Sequence, residues 1–130
     1  MRSSVATVRT LVVDDYEPFR RFLCDALQAK AELQIIGEAS DGLQAVRKAE
    51  ELQPDLILLN IGLPTIDGIE GAHRVSRLVP SATILFISQN NDADVVAAAL
   101  NNGAKGYVCK QKVRTELLPA LKPFCGEITL

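Results

Sequence analysis

The order of apolar and polar residues divides this chain into alternating strands and helices. Continuous apolar runs rich in β-branched residues are typical of strands buried on both faces, whereas apolar residues at i, i+3, i+4 and i+7 mark one helix face. Phe19, Phe22, Leu23, Ala26 and Leu27 show the helical spacing. Strands are predicted at residues 7–13, 33–39, 55–60, 82–88 and 106–110, and helices at 17–30, 41–53, 67–78, 92–103 and 113–122.

Five strand–helix units at a period of about 25 residues predict an α/β domain with a parallel sheet that helices cover on both faces. Residues with special backbone preferences support the helix boundaries. Pro18 suits a first turn, Pro54 ends the second helix, Asp67 caps the third and Gly103 closes the fourth. Pro119 must kink or shorten the last helix, because proline interrupts the helical hydrogen bonds.

Composition restricts the class of protein further. The 130 residues suffice for one domain with a core, and the net charge of −2 provides no basic surface for nucleic acid or an anionic membrane. No apolar run is long enough for a membrane span, and the N-terminus does not resemble a secretory signal. We expect a lead-in at residues 1–6, one domain at 7–122, and a tail or the start of a linker at 123–130.

Three cysteines without metal or redox spacing favour reduced thiols, and therefore a cytoplasmic location. They are Cys24, Cys109 and Cys125.

Polar side chains stand where the predicted strands end. Asp14 and Asp15 follow the first strand, Asn60 ends the third, Ser88 ends the fourth and Lys110 ends the fifth. Ligands of open parallel sheets bind at this edge. Two carboxylates suit a hard cation such as Mg²⁺, and a lysine with a hydroxyl suits a phosphoryl group. Each residue alone has an ordinary explanation as a turn, a cap or a solvated charge, but together they predict a site for a cation and a phosphoryl group.

Four segments carry a family resemblance. "LVVDDYEPFR", "PDLILLNIGLPTIDGIE", "ILFIS" and "GAKGYVCK" resemble the receiver domain of bacterial two-component response regulators, over residues 7–122. The wording is most similar to regulators that carry a helix-turn-helix DNA-binding domain after the receiver. The resemblance implies a flavodoxin-like, doubly wound (βα)5 parallel sheet with strand order 2-1-3-4-5.

The resemblance also implies roles for individual residues. In this family a histidine kinase donates a phosphoryl group to an aspartate at the end of strand three, where this chain has Asn60. The implied Mg²⁺ ligand positions are Asp14, Asp15, Asn60 and the backbone carbonyl of Gly62. The implied phosphoryl-contact and switch positions are Ser88, Tyr107 and Lys110.

Asn60 departs from the family pattern in a way that changes the chemistry. A carboxylate oxygen can attack phosphorus, whereas the delocalised lone pair of a carboxamide cannot do so at a useful rate. The missing negative charge also weakens cation binding, by on the order of 4 kcal/mol at about 4 Å before desolvation is counted. Asp55 lies about 16 Å away along the strand and cannot substitute. We therefore expect no phosphorylation at position 60, and Mg²⁺ binding that is weak or absent.

Four interpretations remain open. The chain is a receiver that signals without phosphorylation at Asn60, or an ordinary phosphoaccepting receiver with an engineered Asp-to-Asn change. A flavodoxin-like cofactor carrier is disfavoured because "VVDDYEPF" has no glycine to cradle a phosphate. A phosphatase with Asp14 as its nucleophile is the fourth interpretation, but the residues at the ends of the fourth and fifth strands fit a receiver better. We expect a protein that is not an enzyme.

The resemblance also sets expectations for partners. A histidine kinase or another signalling protein is expected to bind the domain, and DNA only through an output domain that is not in this chain. The "VVAAAL" helix with the strand of Tyr107 provides a surface for a homodimer or another partner. No membrane partner is expected.

Overall fold

The computed structural model of the chain describes residues 7–89 and 92–125. The strands are β1 (Val8–Val13), β2 (Leu33–Ala39), β3 (Leu56–Leu59), β4 (Thr83–Ser88) and β5 (Ala104–Cys109). The helices are α1 (Glu17–Gln28), α2 (Gly42–Leu52), α3 (Gly68–Leu78), α4 (Ala93–Asn101) and α5 (Val113–Cys125). A single 3-10 turn, Lys110–Lys112, joins β5 to α5.

The five strands form one parallel sheet in the order β2-β1-β3-β4-β5, which confirms the predicted flavodoxin-like topology. The register brings the carboxyl ends of the central strands level. Val13 pairs with Leu59, and Leu59 pairs with Phe86. Consequently the residues that follow β1 and β3 leave the sheet side by side, at the edge where the sequence predicts a site.

Two apolar layers lie on opposite faces of the sheet, because alternate strand residues point to opposite sides. All four residues of β3 are buried. Ile57 and Leu59 pack with α2, α3 and α4, whereas Leu56 and Leu58 pack with α1 and α5. The central strand is therefore apolar throughout, as the sequence predicts for a strand that helices cover on both faces.

Helix ends agree with the sequence signals. The Asp67 carboxylate accepts a hydrogen bond of 2.8 Å from the backbone N–H of Glu70 at the start of α3. Gly103 follows α4 with φ of 101°, a left-handed conformation that glycine adopts without strain. The second helix ends at Leu52, two residues before Pro54, as predicted.

The last helix is longer than the sequence predicts. It continues through Pro119 and Pro123 to Cys125, so Pro119 does not shorten it. The two prolines are four residues apart on the exposed face, where water can bond the carbonyls that proline leaves free. Leu117 and Leu121 are buried on the opposite face and hold the helix to the sheet. The helix thus extends into the range 123–130, for which the sequence predicts a tail or the start of a linker, and residues 126–130 lie outside the described part.

The fifth strand also differs at both ends. It begins at Ala104 rather than Gly106, since Ala104 already pairs with Ile84. A register irregularity then leaves Lys105 unpaired before Gly106 pairs with Leu85. It ends at Cys109, so Lys110 belongs to the 3-10 turn rather than to the strand. Among the helices of residues 7–89 and 92–125, none has the length and apolar character to cross a bilayer.

Candidate functional site

An open cavity of about 610 Å³ lies at the carboxyl edge of the sheet. Its walls come from the loops after β1, β3 and β4 and from the turn after β5, as the parallel register requires. The lining residues are Asp15, Tyr16, Asn60, Ile61, Gly62, Ser88, Gln89 and Lys110. The structure therefore brings together the polar residues that the sequence places at four separate strand ends.

Asp14 and Lys110 form a buried ion pair beside this cavity. The Lys110 ammonium lies 2.8 Å from Oδ2 of Asp14, and the two side chains are 12% and 1% exposed. Oδ1 of Asp14 accepts a hydrogen bond of 2.9 Å from the backbone N–H of Tyr16. The Lys110 ammonium also lies 4.5 Å from the centroid of the Phe19 ring, a cation–π contact. Both carboxylate oxygens of Asp14 are thus engaged.

Asn60 is only 7% exposed, and its side chain faces the second carboxylate. Its amide nitrogen lies 3.3 Å from Oδ1 of Asp15 and 3.3 Å from the backbone carbonyl oxygen of Gly62. A carboxylate and a carbonyl can only accept hydrogen bonds, so the amide nitrogen, not its oxygen, must face them. Both bonds are long for N–H···O contacts, and they share one donor group.

The loop that follows Asn60 is closed by a glycine at the start of α3. The backbone N–H of Gly68 donates a hydrogen bond of 2.6 Å to the carbonyl of Ile61. A Cβ at Gly68 would lie 2.0 Å from the backbone carbonyl oxygen of Asn60. The hydroxyl of Thr65 accepts a hydrogen bond of 3.0 Å from the N–H of Leu43, which ties the same loop to α2. The position of Asn60 is therefore set by close backbone contacts.

Ser88 ends β4, and Tyr107 lies on the neighbouring β5, where it pairs with Phe86 two residues before Ser88. Ser88 is buried, and the Tyr107 ring packs with its centroid 6.4 Å from that of Phe86. The Tyr107 hydroxyl is buried and makes no hydrogen bond of standard geometry within the described residues. Burial raises the pKa of Tyr107, and the neighbouring Ser88 hydroxyl partly opposes that rise. Tyr107 thus interacts with Ser88, which lines the cavity, but is not itself a lining residue.

Sequence reasoning missed two groups that support the site. The helical spacing predicts only that Phe19 lies on the apolar face of α1, whereas its ring also makes a cation–π contact with the Lys110 ammonium. The Arg20 guanidinium donates a hydrogen bond of 2.8 Å to the backbone carbonyl of Asp14. Both residues directly follow "DDYEP", and this position next to the acidic pair was the signal in the sequence that could have indicated their role. Asp55 lies at the opposite edge, as expected, where its carboxylate accepts from the N–H of Arg9.

The arrangement of donor atoms does not suit a six-coordinate Mg²⁺ as it stands. Both oxygens of Asp14 are engaged, and Oδ1 of Asp15 and the Gly62 carbonyl face the Asn60 amide. In the described part of the chain, no group of three or more His, Cys, Asp or Glu side chains could hold a metal ion. The site contains the expected oxygen atoms, but a neutral N–H donor stands between them.

The sequence of the chain is similar to those of known response regulators. The chain is 35% identical over 115 residues to the transcriptional regulatory protein LiaR of Bacillus subtilis, covering 88% of this chain and 54% of that protein. It is 34% identical over 121 residues to the nitrate/nitrite response regulator NarL of Escherichia coli, covering 92% of this chain and 56% of that protein. The chain thus spans about half the length of these curated relatives.

Solved structures show the same fold. The signal receiver domain of the putative response regulator NarL from Mycobacterium tuberculosis superposes with a TM-score of 0.86 at 32% identity, covering 94% of this chain and 99% of that one. The response regulator domain of Thermotoga maritima CheB gives a TM-score of 0.85 at 30% identity, covering 93% and 98%. Residues 10–122 match the family described as "Response regulator receiver domain". The chain therefore belongs to the receiver domain family of response regulators.

Proposed function

We propose that this receiver domain acts in two-component signalling without accepting a phosphoryl group at Asn60. The observation that carries the proposal is the neutral carboxamide at the end of β3, where its nitrogen faces Asp15 and the Gly62 carbonyl. We assign this position as the one from which a phosphoaccepting receiver would present its nucleophile. Its neighbours Ser88 and Lys110, which line the same cavity, are assigned as phosphoryl-contact residues and Tyr107 as the switch residue.

The chemistry of the side chain supports this proposal. A carboxamide nitrogen has its lone pair delocalised into the carbonyl, so it is a poor nucleophile towards phosphorus. The nearest carboxylates have other partners, because Asp14 pairs with Lys110 and one oxygen of Asp15 accepts a long hydrogen bond from Asn60. The described residues of this edge therefore offer no unpaired carboxylate to replace an aspartate at position 60. The site can therefore still bind and orient a ligand, but it cannot be phosphorylated at Asn60.

Cation binding follows the same reasoning. Receiver domains bind Mg²⁺ at the phosphorylation site. The positions that would hold Mg²⁺ here are Asp14, Asp15, Asn60 and the Gly62 carbonyl. One negative charge fewer than in an aspartate-bearing site lowers the attraction for a divalent cation. We infer that this chain binds Mg²⁺ weakly or not at all under cellular conditions.

Partners are proposed from the family and from the exposed surfaces. The matched segment covers 52% and 54% of two relatives named as transcriptional regulatory proteins. A histidine kinase or another signalling protein would bind the receiver in the cytoplasm, and DNA contact would require an output domain outside these residues. Leu100 on α4 is 42% exposed and offers an apolar contact for a homodimer or another partner. The domain itself would not be an enzyme.

A phosphorylation assay tests the proposal. The chain and its Asn60→Asp variant are incubated with acetyl phosphate and Mg²⁺, and intact mass is measured over time. We expect a phosphoryl adduct on the aspartate variant only. Asn101→Asp provides the control, because Asn101 is exposed on α4 and a new carboxylate there is remote from the cavity.

The outcomes separate the two receiver interpretations. An adduct on Asn60→Asp alone means that the asparagine is what prevents phosphorylation, whatever its origin. An adduct on the unaltered chain at a rate comparable to that of Asn60→Asp would contradict the proposal. An adduct on Asn101→Asp would show that the assay labels carboxylates without regard to the site.

A further inference from the structure

The acceptor atoms at the carboxyl edge converge on one point. Oδ1 of Asp15 and the carbonyl oxygen of Gly62 each lie 3.3 Å from the Asn60 amide nitrogen. Neither oxygen can donate a hydrogen bond, so each can only accept one or bind a cation. Asp15 and Gly62 are exposed residues, and the partner that both oxygens share is the buried Asn60 amide. The amide group supplies two N–H bonds, one for each oxygen.

We propose that the Asn60 amide nitrogen takes the position of the divalent cation and satisfies these oxygens from within the chain. The inference rests on the proposed function, because it takes Asp15 and Gly62 as the metal-ligand positions. It goes further by giving Asn60 two effects. The residue removes a nucleophile, and its N–H groups also occlude the place where the cation would bind.

Loss of charge and occlusion predict different behaviour for a variant that lacks the amide. Alanine at position 60 carries no charge, like asparagine, and it has no N–H groups. If the lost charge alone weakens cation binding, Asn60→Ala binds Mg²⁺ no more tightly than the unaltered chain, because alanine also lacks the amide oxygen as a ligand. If the amide occludes the place, Asn60→Ala exposes Oδ1 of Asp15 and the Gly62 carbonyl and binds more tightly.

Direct binding measurements distinguish the two. Mg²⁺ is titrated by calorimetry, and Mn²⁺ by electron paramagnetic resonance of the free ion, into the unaltered chain, Asn60→Ala and Asn60→Asp. We expect Asn60→Asp to bind most tightly and Asn60→Ala second. We expect the unaltered chain to bind about tenfold more weakly than Asn60→Ala, because the cation must displace a charge-assisted hydrogen bond to Asp15 and a neutral one to the Gly62 carbonyl.

Three further measurements test whether the gain in binding arises at Asp15 and from removal of the amide. Adding Asp15→Asn to Asn60→Ala removes the freed carboxylate and should abolish the gain, which locates the ion at Asp15. A second variant, Asn60→Ser, is measured if circular dichroism shows that Asn60→Ala does not fold. In the unaltered chain, the side-chain ¹H–¹⁵N signals of Asn60 should not move with millimolar Mg²⁺.

Equal or weaker binding by the folded alanine or serine variant, relative to the unaltered chain, would overturn the inference. So would a shift of the Asn60 side-chain signals with a Mg²⁺ affinity equal to that of Asn60→Asp. Neither result would bear on phosphorylation, which the mass measurement tests separately. Conversely, a phosphoryl adduct on the unaltered chain would contradict the proposed function whatever the order of cation affinities.

Discussion

The Lys110 ammonium lies 2.8 Å from a carboxylate oxygen of Asp14, and the two side chains form a buried ion pair. Removing one partner of such a pair leaves an uncompensated buried charge. We expect Lys110→Met to lower the free energy of unfolding by about 3 kcal/mol, because the Asp14 carboxylate then loses its cation. Urea unfolding followed by circular dichroism measures the change.

A double-mutant cycle isolates the contribution of the pair. Asp14→Asn should also destabilise the chain, and the double variant should lose clearly less than the sum of the two single losses. Strict additivity of the three values would contradict direct coupling between Lys110 and Asp14.

Two glycines at the start of α3 should respond oppositely to the same substitution. A Cβ at Gly68 would lie 2.0 Å from the backbone carbonyl oxygen of Asn60, whereas a Cβ at Gly71 meets nothing within 4 Å. We expect Gly68→Ala to cost more than about 3 kcal/mol, because the clash is with backbone and cannot relax by side-chain rotation. Gly71→Ala should stabilise the helix by up to about 1 kcal/mol.

Thermal unfolding of the two variants measures the difference. A Gly68→Ala chain as stable as the unaltered one would mean that the loop after β3 can shift away from α3. A loss at Gly71→Ala comparable to that at Gly68→Ala would mean that helix geometry, not the carbonyl contact, governs both sites.

Arg9 on β1 caps the C-terminal end of α2, more than 40 residues later in the sequence. Its guanidinium donates hydrogen bonds of 2.6 Å to the carbonyl of Gln53 and 2.7 Å to that of Leu52. These carbonyls are among those that α2 leaves without a helical partner. We expect Arg9→Met to cost about 1–2 kcal/mol, because two charge-assisted bonds are lost at a partly exposed position.

Arg21→Met is the matched control for that substitution. Arg21 is 72% exposed, and its nearest carboxylate contact, Glu17, lies at 3.7 Å. Because exposed pairs of this kind contribute little, its loss should be below about 0.5 kcal/mol. Equal effects in chemical denaturation would show that Arg9 acts through general charge rather than through the carbonyls of α2.

Thiol reactivity should separate the two cysteines whose side chains the structure describes. Burial, reinforced by the nearby Glu38 carboxylate, raises the pKa of Cys24 from 9.0 to about 11. Only about one molecule in ten thousand then carries the reactive thiolate at neutral pH. Iodoacetamide should therefore alkylate the half-buried Cys109 well before Cys24. The reaction of Cys24 should accelerate as the pH rises towards 11.

Peptide mass spectrometry over a time course at two pH values reports both rates. Denatured chain, in which both thiols are accessible, provides the reference. If native Cys24 reacted as fast as Cys109 at neutral pH, the environment around α1 would have to open far more readily than its packing indicates.

The sequence predicts the sheet and the convergence of polar strand ends well, because both depend on short-range patterns. Asp14, Asn60 and Ser88 stand at strand ends, and a parallel sheet with level carboxyl ends must bring strand ends together. The apolar runs that define β3 and β4 follow directly from burial on two faces. The strands are therefore predicted from the local order of apolar residues. The convergence of their ends follows from the rule that parallel strands all end at one edge of the sheet.

Other features depend on contacts that no local pattern encodes. The course of α5 through Pro119 depends on the burial of Leu117 and Leu121 against the sheet. The cation–π contact of Phe19 with Lys110 joins residues 91 positions apart. The direction of the Asn60 amide follows from two acceptors that are known to be neighbours only once the loop is folded.

The sheet order also has a consequence for the durability of the site. Asn60 follows β3, a fully buried strand with a neighbour on each side, whereas Lys110 follows β5 at the sheet margin. Amide protons of β3 should exchange with deuterium only when the whole domain opens, whereas those of β5 can exchange through local fraying. The cavity at the carboxyl edge is therefore lined by one strand that resists local opening and one that opens more readily. Lys110 follows the strand that opens more readily.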